Sequence, residues 1–165
     1  MIAKTYISSN LRRLNTLYRR AKTPHEALFH SKLATLELCG WIETSMDDIV
    51  IRAANRILEN PADLLYYKSN TVKRVYGFKY EQHFRPLVTH LIGLKGINEV
   101  ERIANPVIFN PMVGALSTLK PVRDKHAHGY IKGTTLRIDA PSTIITKFKI
   151  IYEGLLEFDS LLKAI

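Results

Sequence analysis

At 165 residues with 46% apolar side chains, the chain has the length of a single domain, residues 1–165, and enough apolar surface to bury a core. Its 24 Lys and Arg against 15 Asp and Glu give a formal charge of +9, which favours a polyanionic partner such as a nucleic acid. Cys39 is the only cysteine, which excludes an internal disulfide and points to a reducing cytoplasm; no apolar signal core opens the chain and no apolar run reaches membrane-spanning length.

Helical periodicity dominates. From Ala3 to Lys22, Ile7, Leu11, Leu14 and Tyr18 recur every three or four residues, with a basic opposite face. Thr23-Pro24-His25-Glu26 combines an N-cap, a proline at the first helical position and a capping-box glutamate, and so opens a second helix. That helix carries a stripe from Phe29 through Leu33, Leu36, Cys39, Ile42, Met46, Ile49 and Ala53 to Ile57. It is longer than a small domain needs, so part of it is expected to face a second protomer. Gly40 within the stripe is read as a point of close helix approach near Trp41 or as a kink.

Asn60-Pro61 breaks the second helix, and the segment to Pro111 is weakly patterned. Phe84, Leu87, Val88, Leu91 and Ile92 restore helical spacing up to Gly93 or Gly96, and a short helix follows over 98–104. Asn110-Pro111 reads as another capped start, with Pro121 bending or restarting the helix. The stretch Thr134 to Ile138 is β-branched and short, a hairpin arm or an extended loop. From Pro141 onward Ile144, Phe148, Ile151, Leu155, Phe158 and Leu162 again keep helical period. The expected fold is all-α, an up-and-down bundle of about five helices with long first and second helices.

One cluster carries chemistry: Arg123-Asp124-Lys125-His126-Ala127-His128-Gly129-Tyr130. Arginine is a permanent planar donor suited to phosphate oxygens, and histidine takes and gives protons near neutrality. Residues five apart on a helix lie about 140° apart in azimuth, so Arg123 and His128 do not stack on one face, whereas Arg123 and His126 are helical neighbours. Gly129 is expected to end the helix in a left-handed conformation, leaving His128 in the last turn. Other readings stand beside the catalytic one. Protonated His126 and His128 would be stabilised by a helix C-terminus, and Asp124, His126 and His128 could be read as metal ligands, although alternate residues on a helix diverge.

The string Arg123-Asp124-x-x-x-His128, closed by Gly129, resembles the R-x4-H signature of HEPN domains. Leu36-Glu37-Leu38-Cys39-Gly40-Trp41-Ile42-Glu43 resembles the early-helix motif of the RiboL-PSP-HEPN branch, and Asp139-Ala140-Pro141-Ser142 leads into the last helix as it does there. The likeness covers most of the chain in order. It implies a helical bundle and an RNase of toxin–antitoxin or antiphage defence systems, without metal or other cofactor. It implies a homodimer in which two motifs face one cleft. His128 would then be base or acid, Arg123 the stabiliser of the phosphate, and Asp124 the residue that orients one of them. Tyr130 makes the motif similar to those in which a nucleotidyltransferase antitoxin adenylylates the tyrosine; packing or base stacking is the plainer reading.

RNA is the expected substrate. Two basic regions suit it: Arg12, Arg13, Arg19, Arg20 and Lys22 on the first helix, and a segment in which Lys73, Arg74 and Lys79 interleave with Tyr76 and other rings, the latter preferred. Lys125 adds a cation inside the motif, and His126 is a supporting candidate. Glu37 and Glu43 flank Trp41 and either support the site or pair with arginines there. A non-catalytic module binding RNA, a nucleotide or a protein partner is the rival expectation.

Overall fold

The computed structural model describes residues 2–133 and 137–164. Most of the expected Thr134 to Ile138 arm lies at 134–136, outside the described residues. Among the described residues there are six α-helices and no strand: α1 (Thr5–Arg20), α2 (Pro24–Ile57), α3 (Pro61–Tyr66), α4 (Arg85–Ile103), α5 (Pro106–His128) and α6 (Pro141–Lys163). The all-α expectation holds, with α3 as an added short helix.

The start of α2 follows its sequence signals. The Thr23 hydroxyl accepts from the Glu26 N–H at 3.1 Å, and the Glu26 carboxylate accepts from the Lys22 N–H at 2.8 Å. At 34 residues α2 is about 50 Å long. Cys39, Ile42, Met46, Ile49 and Ala53 of its stripe are buried, but Phe29 and Leu33 are about half exposed, so the stripe leaves the core toward its N-terminal end. Gly40 is exposed, and a Cβ there would meet nothing within 4 Å among the described residues. Close packing inside the chain therefore does not require it, and α2 runs through it as one helix.

Four helices form the bundle. α2 and α6 pack on each other, and both α1 and α5 pack against that pair. The stripe of α6 is buried throughout, from Ile144 to Leu162. Where α5 crosses α6, a Cβ on Gly154 would stand 2.5 Å from the Cβ of Met112, so the missing side chain sets the helix separation. Trp41 packs edge-on against Phe148 at 5.1 Å between ring centroids and donates its Nε1–H to the Ala3 carbonyl at 2.7 Å, tying α2 to α6 and to the segment that leads into α1.

Two boundaries differ from expectation. α5 begins at Pro106 behind Asn105, whose side chain accepts from the Val107 N–H at 3.0 Å, and it continues through Pro111 and Pro121. The break expected at Gly93 or Gly96 falls at Gly93, whose φ of +71° and ψ of 173° are open to glycine alone among common residues, but the helical run after it begins there rather than at Asn98 and reaches Ile103. Between α3 and α4 the chain runs through π-helical turns at Tyr67–Thr71 and Tyr80–Phe84. Tyr67, Phe78, Tyr80 and Phe84 from this segment are buried.

Candidate functional site

The last two turns of α5 carry the Arg123 to His128 string, and three packed elements fix its surroundings. Arg123 reaches α2, where its Nη2 donates to Glu43 Oε1 at 2.7 Å, while Nη1 donates to Asp124 Oδ1 at 3.1 Å. Asp124 also accepts from Lys120 Nζ, one turn earlier. Its carboxyl is held below the ordinary range chiefly by the Lys120 hydrogen bond, with Arg123 adding. Burial alone would lower Arg123; Glu43 and the Asp124 hydrogen bond more than offset it, so the guanidinium is held firmly charged. An arginine has five N–H donors, and these two contacts leave donors for a third anion.

The two histidines of the motif are in opposite environments. His128 is exposed on the final residue of α5. His126 is only 4% exposed, and its Nε2 has no hydrogen-bond partner among the described residues. Burial pushes His126 below its ordinary value, with the charges of Lys32 and Lys125 adding and Asp139 opposing. His126 is thus an uncharged interior ring, and of the pair His128 is the one that solvent or a ligand can reach. No hydrogen bond or ion pair joins His128 to Arg123 among the described residues, as their separation along the helix predicts.

Gly129 caps α5 differently from expectation. Its φ of −107° and ψ of 162° are extended rather than left-handed. The glycine matters for space instead, because a Cβ would stand 2.6 Å from the Lys125 carbonyl oxygen. Its own carbonyl accepts from Lys32 Nζ of α2 at 2.6 Å, which anchors this helix end beside the exposed Phe29 and Leu33. Tyr130 follows, 77% exposed, and Lys125 is also exposed.

The basic-aromatic segment reaches the same helix. Gly77 has φ +141°, and a Cβ on it would lie 2.7 Å from His83 Nε2 and 2.8 Å from Lys120 Cε. The loop therefore lies against the lysine that holds Asp124. His83 accepts the Lys79 N–H on Nδ1 at 3.1 Å, and burial, then the Lys120 and Lys79 charges, keep it below its ordinary value. Lys73, Arg74 and Tyr76 are exposed and Lys79 is half-buried.

Of the two α2 glutamates, the structure brings Glu43 to Arg123. Glu37 instead accepts from Asn10 Nδ2 of α1 at 3.0 Å, on another side of α2. Burial pushes the Cys39 thiol up to about 12, with Arg123 opposing and Glu43 adding, so this cysteine is a protonated core residue. Asp124, His126 and His128 do not converge, and no group of three or more His, Cys, Asp or Glu suited to a metal occurs among the described residues. No helix among the described residues is long and apolar enough to cross a membrane. No protein-family model matches the chain, and no curated protein or solved structure does so either.

Proposed function

We propose that the chain is a metal-independent endoribonuclease of HEPN type, a toxin or defence effector, working as a homodimer. The reading rests on one observation: an exposed imidazole, His128, ends the helix on which Arg123 is clamped by Glu43 and Asp124. RNA supplies its own nucleophile. Removal of the 2′-OH proton lets that oxygen attack phosphorus, the 5′-oxygen leaves with a proton, and a cyclic phosphate remains. One imidazole takes the first proton and a second gives the other. A single chain provides one exposed motif histidine, so the second comes from a second copy, with two α5 ends apposed across one cleft. The half-exposed Phe29 and Leu33, next to the Lys32 anchor of Gly129, offer an apolar face for that contact. Arg123 contributes its remaining donors to the charge that builds on the phosphate. Toxin control would come from an antitoxin, and the exposed Tyr130 hydroxyl is within reach of a nucleotidyltransferase.

A second reading has its own observation. Two carboxylates already offset the Arg123 charge, which suits an anchor in a non-catalytic module for RNA, a nucleotide or a protein partner. His128→Ala separates the two. Catalysis predicts that cleavage of RNA falls by at least about 100-fold while RNA affinity stays within a few-fold. The binding module predicts no cleavage by either protein.

A further inference from the structure

The solvent face of α1 carries charge of one sign. Glu26 is the first acidic residue of the sequence, so the 25 residues before it hold six lysines and arginines and no carboxylate. Arg12, Arg13, Arg19 and Arg20 are all exposed, and none enters a salt bridge among the described residues. Ser8, Arg12, Thr16 and Arg20 form an i, i+4 ridge rising about 6 Å per step, close to the spacing of successive phosphates on an extended strand. Hydroxyls and guanidinium groups together line a shallow trough along this helix. Such a mixture donates to phosphate oxygens without reading bases.

The other side of α1 is committed. Ile7, Leu11 and Leu14 are buried where the helix meets α2 and α6. A helix that lies in a membrane surface must offer its apolar face to lipid, and this one cannot. We propose that this face of α1 is a backbone track for a nucleic-acid strand, gripping RNA phosphates through Arg12, Arg13, Arg19 and Arg20 on the flank of the bundle occupied by α1, apart from the Arg123 site. The choice of RNA as the polyanion rests on the proposed function; the grip itself is independent of cleavage. α1 and α5 both flank the α2 and α6 pair, so the track extends the footprint beyond the residues around the motif.

The test uses the full chain with His128→Ala in every arm, so that RNA stays intact. Affinity for a labelled single-stranded RNA of roughly 20 nucleotides is measured from about 50 to about 300 mM KCl. Adding Arg12→Gln, Arg13→Gln and Arg19→Gln is expected to weaken binding at least about ten-fold and to lower the slope of log affinity against log salt by about 2. Lysine at the same three positions is expected to restore most of both, which separates lost charge from lost fold. Removing equal charge elsewhere, with Lys95→Gln, Arg102→Gln and Lys149→Gln, is expected to change both much less. Unchanged affinity and slope in the α1 variant would overturn the proposal, as would equal losses in the control. So would a variant that keeps its RNA affinity but loses binding to phosphatidylserine vesicles. If the wild-type chain proves unable to cut RNA while binding still follows the α1 charges, the function fails and the track stands.

Discussion

Arg123 and His126 sit three residues apart on one helix, yet the fold gives them opposite tasks. Arg123 points to Glu43, 80 positions away in sequence, and that partner could not be chosen over Glu37 from spacing alone. His126 turns into the interior, and its burial has a consequence for pH. Its folded value lies below the ordinary 6.5, so the folded chain resists a proton that the unfolded chain accepts. The stability it permits is therefore present above about pH 6.5 and is lost as the pH falls below it. His126→Leu removes this proton linkage. The variant is expected to lose less stability than the parent between roughly pH 7 and pH 5, as read from denaturant unfolding at the two values. His83, also held below its ordinary value, leaves part of the acid sensitivity in place.

At the scale of elements, α6 was fully legible in sequence: its stripe is regular, starts behind Pro141 and faces the core from Ile144 to Leu162. Its contact with α5 was not, because a glycine in a helix does not announce what approaches it. Gly154→Ala pushes a methyl group against the Met112 side chain, its Cβ included, and is expected to destabilise the chain by about 1 to 3 kcal/mol in thermal unfolding. Other misreadings have equally local causes. Asn105-Pro106 and Asn110-Pro111 carry the same start signal five residues apart, and only the first is used. The aromatic run between α3 and α4 has no helical period because π-helical turns and an extended stretch place Tyr67, Phe78, Tyr80 and Phe84 in the core. The α2 stripe is legible as one continuous helix longer than one core needs, and its outer end, at Phe29 and Leu33, is about half exposed.

For the whole molecule, the formal charge of +9 is unevenly placed. An acid-free α1 covers one flank of the α2 and α6 pair, and α5 with its motif packs against the same pair. The candidate site itself holds three cations, Lys120, Arg123 and Lys125, against Glu43 and Asp124, with an exposed imidazole at the helix end. Under the proposed function these cations and a second imidazole from a partner copy would stabilise a phosphorane without a metal. The chemistry of the product ends reports on this most directly. Purified protein incubated with RNA in excess EDTA is predicted to cut it and to leave 2′,3′-cyclic phosphate on one fragment and a free 5′-hydroxyl on the other. Intact RNA under those conditions, or fragments bearing 5′-phosphate and 3′-hydroxyl ends, would contradict the account.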